Sequence, residues 1–171
     1  MEAVLMCLAI MMVSTPEDST SKYWLDKNSV TRACEYSSAL VESASKHKVD
    51  PFVIAAIVWN ESRWTPSAFD GSCCGIGQIN PSFVPENCTQ LKDPAISLNR
   101  IGAILDGWRQ NLPASTDEYT HLISCYAAGS ACTKSTKAVK HSKFILSLSE
   151  KYRRSYETIK SVSQYLTIGP K

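Results

Sequence analysis

The hydrophobic pattern of the chain predicts one helix that is apolar on most of its faces. Residues 52–59 form a nearly unbroken apolar run, and a single carboxylate, Glu61, follows its end. Before the run, Asp50 supplies a capping side chain and Pro51 suits the first helical position. Because such a helix has no polar face for solvent, we expect residues 51 to about 63 to form a buried, central helix.

Four other segments repeat apolar residues at intervals of three and four, which is the spacing of amphipathic helices. They are residues 31–47, a segment opened by Asp93-Pro94 and stopped by Pro113, residues 117–128 with Gly129 as C-terminal cap, and residues 141–162. No stretch alternates convincingly between polar and apolar residues, and the one candidate for β structure is a short hairpin between residues 70 and 80. The predicted fold class is therefore all-α, or α+β at most if that hairpin forms.

The apolar run at the N-terminus, residues 3–13, predicts a signal peptide or a short hydrophobic anchor within residues 1–14. The run is too short to span a bilayer, which requires about 20 residues. Glu2 stands where a signal peptide usually carries a positive charge, and no small-x-small cleavage site follows. A buried N-terminal helix is the alternative interpretation.

The rest of the chain divides into one domain and two short flanks. Residues 15–30 include a polar, proline-bearing stretch that predicts a linker, and residues 166–171 predict a tail. Between them, residues 31–165 have the length of one domain. The basic C-terminal helix, residues 141–162, lies within residues 131–171, which carry nine Lys or Arg and two acids, a surplus of 9 − 2 = +7. This surplus indicates either attraction to anionic polymers or membranes or, as we favour, a solvated helix face.

Without residues 1–14 the chain keeps an even set of six cysteines, which is typical of disulfide-bonded proteins in oxidising compartments. The set comprises Cys34, Cys73, Cys74, Cys88, Cys125 and Cys132. Adjacent Cys73 and Cys74 should each require a partner elsewhere, since a bridge between neighbours is strained. Cys125–Cys132 is the pairing that would close a short turn. We therefore expect a secreted or periplasmic protein.

Composition argues against several other classes of function. The chain has no CxxC pair and only three histidines, so the ligand spacing of a zinc site is missing. Its net charge of +2 is too small to indicate a nucleic-acid partner. We expect no metal, no cofactor and no nucleic acid.

The candidate chemistry lies at the end of the apolar helix. Glu61 ends that helix, and a glycine-bearing turn with an amide side chain follows at residues 75–80. Burial in apolar surroundings raises the pKa of a carboxyl group, so the group can stay protonated near neutral pH. This arrangement predicts an acid catalyst.

Four sequence motifs in order, within residues 49–129, carry a resemblance to a known family. They read VDPFVIAAIVWNESRW, GIGQINP, LKDPAISLNRIGAIL and SCYAAG. The chain resembles lytic transglycosylases of the soluble-lytic-transglycosylase (SLT) type, within the lysozyme-like superfamily. The resemblance implies an all-α, lysozyme-like single lobe around a sugar-binding cleft. It also implies cleavage of peptidoglycan.

The resemblance assigns roles to individual residues. Glu61 matches the catalytic acid/base, which would cleave the bond between N-acetylmuramic acid and N-acetylglucosamine and form a 1,6-anhydro ring. Tyr126 matches a tyrosine that helps to orient the glutamate, and Gly77 stands where the family has methionine. The predicted substrate-binding residues are Ser62, Trp64, Gln78, Ile79 and Tyr126. For Trp64 and Tyr126 the alternative is ordinary core packing, and Gln78 could instead satisfy backbone groups in its turn.

Two other functions stay open at this point. A lysozyme-like peptidoglycan hydrolase (muramidase) would use water and normally needs a second carboxylate. Asp70 and Glu86 are the candidates for it, because Asp93 is better explained as a helix cap. A non-catalytic cell-wall-binding component is the third possibility.

The expected partners follow from the resemblance. They are peptidoglycan glycan strands, met by a monomeric enzyme in the cell envelope. Domains of this kind also serve secretion, conjugation and phage apparatus, and the sequence does not separate these roles.

Overall fold

The computed structural model describes residues 2–13, 28–113 and 117–168. Eight α-helices and two short 3-10 helices make up these ranges, and no strand occurs within them, so the all-α prediction is confirmed. The α-helices are α1 (Glu2–Val13), α2 (Ser29–Glu35), α3 (Ser37–His47), α4 (Pro51–Ser62), α5 (Cys88–Leu91), α6 (Pro94–Arg109), α7 (Glu118–Ala128) and α8 (Thr136–Ile168). The 3-10 helices span Pro81–Phe83 and Gly129–Ala131.

The apolar helix α4 lies at the centre of the fold, as its sequence predicts. Nine of its 12 residues are buried. Asp50 caps the helix by accepting a hydrogen bond of 2.9 Å from the backbone N–H of Phe52, and Pro51 occupies the first turn. The helix ends at Arg63, which adopts left-handed backbone angles with φ of 53°. The guanidinium of Arg63 lies 4.7 Å from the ring centroid of Trp59 and is itself buried.

The other helices enclose α4 on several sides. The long helix α8 packs against α1, α4 and α7, and α3 packs against α4 and α6. The stripe of α8 that faces the core includes Ile145 and Tyr152, both fully buried. Helix α8 begins at Thr136 and ends at Ile168, so it is longer than the predicted segment 141–162. The end of α4 is therefore reached by residues from the first turns of α8.

The predicted single helix over residues 31–47 is wrong, because the structure divides it at Tyr36 into α2 and α3. At the break, the hydroxyl of Ser37 donates a hydrogen bond of 2.7 Å to the carbonyl oxygen of Cys34. This bond gives the carbonyl a side-chain partner in place of a helical N–H group. Both halves keep their apolar residues towards the core, since Ala33 and Leu40 are fully buried.

The cysteine pairing differs from the predicted even set. The disulfides are Cys7–Cys34, Cys74–Cys88 and Cys125–Cys132, and Cys73 is a free thiol. The pairing Cys125–Cys132 is confirmed. Cys7 was left out of the predicted disulfide-forming set, and Cys73 was expected to form a disulfide; both predictions are wrong. Extended neighbours point their side chains in opposite directions, so the backbone that turns Cys74 towards Cys88 turns Cys73 away from it.

The N-terminal residues form a packed helix, which is the alternative interpretation of the apolar run. One face of α1, with Met6 and Ile10, is buried against the lobe, while Val4 and Met12 are each 61% exposed. None of the helices in the described ranges is both long and apolar enough to cross a membrane. Cleavage within residues 1–14 stays a prediction. Most of the predicted linker, residues 15–27, and the last residues of the predicted tail, 169–171, lie outside the described residues.

Two glycines on α6 offer a test of how tightly the helices pack. A Cβ atom on Gly102 would stand 2.7 Å from Ser43 Oγ and His47 Cδ2 of α3, whereas one on Gly107 would meet open space. We expect Gly102→Ala to lower the free energy of unfolding, because overpacking costs about 1–3 kcal/mol. Gly107→Ala is the matched control and should raise it by about 0.5–1 kcal/mol through helix propensity. Urea denaturation measures both, and equal stabilisation of the two variants would contradict the described α3–α6 packing.

Candidate active site

Glu61 occupies the last turn of α4, where its carboxyl group is mostly buried. Its side chain is 23% exposed. Burial, with a smaller contribution from the negative charge of Asp70, raises the pKa of the carboxyl from the usual 4.5 to about 7. The side-chain amide of Asn60 acts in the opposite direction by donating a hydrogen bond of 3.4 Å to Oε1. A large fraction of Glu61 is therefore protonated at neutral pH.

The turn after the small-residue loop is held by short backbone contacts instead of a hairpin. Cys74 and Ile79 exchange N–H···O bonds of 2.9 and 3.0 Å, and isolated bridges pair Cys74 with Phe69 and with Ile79. Gln78 has a positive φ of 47°, and its side-chain amide donates to the carbonyl oxygen of Gly75 at 2.9 Å. A Cβ atom on Gly75 would stand 1.8 Å from the Leu91 carbonyl oxygen, so the turn requires glycine there.

Tyr126 on α7 joins the turn to the region of Glu61. Its hydroxyl donates a hydrogen bond of 2.6 Å to the carbonyl oxygen of Gly77. Burial raises the pKa of this hydroxyl well above 10, and the charges of Glu61 and Cys73 raise it further. A Cβ atom on Gly77 would lie 2.9 Å from the Tyr126 hydroxyl and from the Ile101 side chain, so a larger residue here would require these side chains to shift. Tyr126 thus contacts the turn directly, and the charge of Glu61 acts on its hydroxyl.

Three of the predicted substrate contacts lie in the core, which corrects the prediction for Ser62, Trp64 and Ile79. Ser62 is fully buried, and its hydroxyl donates to the carbonyl oxygen of Ile76 at 2.8 Å. Trp64 is fully buried because Arg63 and Trp64 both have positive φ angles, 53° and 61°, which turn the chain inward after α4. Ile79 is 4% exposed. Gln78 and Tyr126 are the predicted contact residues that the structure leaves partly exposed.

His141 belongs to the site but was not among the predicted site residues. Its Nε2 atom lies 3.7 Å from Oε1 of Glu61, and its side chain is 27% exposed. Burial lowers the pKa of the imidazole, and the nearby charge of Lys137 lowers it further. The sequence held one signal, because His141 is in helical register with the apolar residues Ile145 and Leu148.

The free thiol of Cys73 also lies close to Glu61. The backbone N–H of Cys73 donates to Asp70 Oδ1 at 2.8 Å, which holds the loop in a tight turn. Burial raises the pKa of the thiol, the hydrogen bond with Ser72 lowers it, and the charges of Asp70 and Glu61 raise it. Cys73 is partly exposed and stays a neutral thiol beside the carboxyl group.

The candidate second carboxylates differ in how they are engaged. Oδ1 of Asp70 accepts hydrogen bonds from the backbone and hydroxyl of Ser72 and from the backbone of Cys73. Glu86 pairs with Arg100, which lowers the pKa of its carboxyl. Asp93 caps α6 by accepting from two backbone N–H groups, at 2.9 and 3.0 Å, as predicted. Asp70 is the acid that influences Glu61 electrostatically.

Within the described ranges, one group of side chains has the spacing of metal ligands. His121, Cys125 and Cys132 place their ligand atoms within 4.8 Å of one another. The two sulfur atoms are bonded to each other, so neither is a thiolate that could bind a metal ion.

The raised pKa of Glu61 predicts a pH-dependent effect on stability. The folded protein binds this proton more tightly than the unfolded chain, so its contribution to the free energy of unfolding falls as pH rises from about 4.5 to 7. The free energy of unfolding of Glu61→Gln minus that of the wild type should be higher at pH 8 than at pH 4, by about 1–3 kcal/mol. Glu86→Gln, whose carboxyl pKa is lowered by Arg100, should show the opposite sign. Urea denaturation at both pH values measures these free energies. The same stability difference between Glu61→Gln and the wild type at pH 4 and at pH 8 would contradict the raised pKa.

The sequence was also compared with known proteins. No curated protein matches the chain at a significant level. Residues 38–146 match the family described as the transglycosylase SLT domain, which is more than half of the 171 residues. The match includes Glu61, the turn at residues 75–80, Tyr126 and His141. The chain therefore belongs to the transglycosylase SLT domain family.

Proposed function

We propose that the chain is a peptidoglycan lytic transglycosylase in which Glu61 is the acid/base. One observation carries this proposal, namely a single carboxyl group at the end of a buried helix whose pKa is raised to about 7. A carboxyl group with that pKa can both give and take a proton near neutral pH. Membership of the SLT family supports peptidoglycan as the substrate.

The reaction needs one carboxyl group because the nucleophile belongs to the substrate. Glu61 gives its proton to the glycosidic oxygen between N-acetylmuramic acid and N-acetylglucosamine, and the bond from that oxygen to C1 of the muramoyl residue breaks. The muramoyl 6-hydroxyl attacks C1 and loses its proton to the Glu61 carboxylate. The products are a free 4-hydroxyl on N-acetylglucosamine and a 1,6-anhydromuramoyl end, and Glu61 is protonated again.

The neighbours of Glu61 support this cycle in different ways. Gln78 is proposed to contact the sugar, since it is a partly exposed polar residue of the turn. Tyr126 is proposed to hold the turn in place through its bond to Gly77. Cys73 lies beside the carboxyl group as a neutral thiol and adds no negative charge there.

A hydrolase that uses water is the second candidate, and one observation favours it. Asp70 is close enough to influence the pKa of Glu61, so it could serve as the second carboxylate. Glu86 suits this role less well because it is paired with Arg100. The hydrogen bonds that Asp70 Oδ1 accepts from its own loop indicate a structural role, which supports the transglycosylase.

The compartment and the domain limits are also proposals. Three disulfides are typical of an oxidising compartment, so the protein is proposed to act in the cell envelope, as a secreted or periplasmic monomer. The catalytic domain is proposed to span residues 31–165, with α1 packed on it. A role in a secretion, conjugation or phage apparatus would use the same cleavage of glycan strands.

Product analysis tests the reaction. Purified peptidoglycan treated with the oxidised protein should release fragments with 1,6-anhydromuramoyl ends, identified by mass spectrometry. Glu61→Gln should reduce the rate of release by at least about 100-fold, because general acid–base catalysis contributes 10²–10⁴-fold. Glu157→Gln, at an exposed position of α8, is the matched control and should keep full activity.

Other products would point elsewhere. Reducing muramoyl ends would mean that water attacks, and Asp70→Asn would then be expected to abolish release. Binding to peptidoglycan without turnover, equal in wild type and Glu61→Gln, would support a non-catalytic wall-binding protein.

Modification of Cys73 offers a separate test of where the cleft lies. A maleimide reacts with free thiols, and within the described ranges Cys73 is the free one. Because the thiol lies beside Glu61, the attached group should block the cleft and lower activity by about tenfold or more. Cys73→Ala should keep activity and be insensitive to the reagent. Full activity after complete labelling, measured by intact mass, would contradict a cleft at Glu61.

A further inference from the structure

His141 reaches the Glu61 carboxyl from a different helix, and core packing fixes its position. Its Nε2 atom lies 3.7 Å from Oε1 of Glu61. The imidazole belongs to the stripe of α8 that includes Ile145, Leu148 and Tyr152, which are buried in the core. Since α8 packs along α4, the stripe places His141 over the end of α4. This contact is a consequence of the fold and does not depend on a bound substrate.

Both nitrogen groups that contact Glu61 do so at the same oxygen. The Asn60 amide donates to Oε1 at 3.4 Å, and His141 Nε2 approaches the same atom. Because Oε1 accepts the Asn60 N–H, it is favoured as the carbonyl oxygen, which places the acid proton on the other oxygen. The arrangement therefore distinguishes Oε1 from Oε2.

The titratable groups around the pair come from three parts of the fold. The charge of Asp70 acts on Glu61 from the loop after α4, which also carries the neutral thiol of Cys73. Tyr126 lies on α7 as a neutral hydroxyl, and the charge of Lys137 acts on His141 from the preceding turn of α8. Burial and Lys137 both lower the pKa of the imidazole, so His141 is neutral at pH 7. A neutral ring excludes water from the carboxyl without supplying a compensating positive charge.

We propose that His141 is a positioning residue for Glu61: its imidazole covers Oε1, excludes water from it, and leaves Oε2 as the oxygen that gives the proton to the substrate. This inference rests on the proposed role of Glu61 as the acid. It assigns the terminal helix α8 a direct part in the site. It also separates His141 from Tyr126, which acts on the turn.

The proposal predicts the direction of a pH shift. Removal of the ring in His141→Ala admits water to Oε1, so the pKa of Glu61 should fall from about 7 towards 4.5. The alkaline limb of kcat/KM reports loss of the acid proton and should move down by about one pH unit. His141→Phe keeps a ring over the carboxyl, so its alkaline limb should stay within about 0.3 units of the wild type.

Two measurements separate this inference from the proposed function. The first is the pH profile of kcat/KM for release of anhydromuramoyl fragments by wild type, His141→Ala and His141→Phe. The second is a ¹³C carboxyl NMR titration of the folded proteins, with Glu61→Gln identifying the Glu61 resonance. The titration does not depend on enzymatic activity. It therefore measures the effect of His141 on the pKa of Glu61 even if the wild type releases no fragments and the proposed function fails.

The outcomes are distinct. A lower Glu61 pKa in His141→Ala, with His141→Phe near the wild type, supports the proposal. An unchanged Glu61 pKa in a folded His141→Ala variant overturns it. An equal fall in both variants also overturns it, because the effect would then come from the imidazole nitrogen and not from coverage of the carboxyl. Circular dichroism confirms the fold, and His141→Phe keeps the test open if His141→Ala does not fold.

Discussion

The fold and the candidate site both depend on one constraint: α4 is buried along nearly its full length, and its last turn carries the carboxyl group of Glu61. Nine of the 12 residues of this helix are buried, and Glu61 shares part of that burial. A charged carboxylate is costly where water is excluded, so the group responds by holding its proton. The surrounding helices thus raise the pKa of this carboxyl group as they form the core.

Two hydroxyl groups fix the turn at residues 75–80 against the neighbouring helices. Ser62 binds the carbonyl of Ile76, and Tyr126 binds that of Gly77, so two successive carbonyl oxygens of the turn are held from two helices. A buried carbonyl left without such a partner would be destabilising. Ser62 and Tyr126, which the family resemblance assigned to substrate contact, therefore maintain the shape of the turn.

The sequence predicted the parts of the fold and site that local rules control. The cap at Asp50, the run that follows it and the position of Glu61 are all local, and the structure has them as expected. Trp64 was misplaced because its burial follows from two left-handed residues, which no apolar pattern encodes. His141 was missed because its contact arises between helices 80 positions apart, where only packing decides the distance. Cys7 was set aside because it lies in residues 1–14, the predicted signal peptide or anchor, although its partner Cys34 lies in the lobe.

The Cys7–Cys34 disulfide makes the number of free thiols depend on whether helix α1 is present. With α1 in place, one thiol remains among the seven cysteines. A form that has lost α1 would carry two, at Cys34 and Cys73, and would uncover the surface on which Met6 and Ile10 rest. Thiol titration of the purified protein thus reports how its N-terminus was processed, without any sequencing.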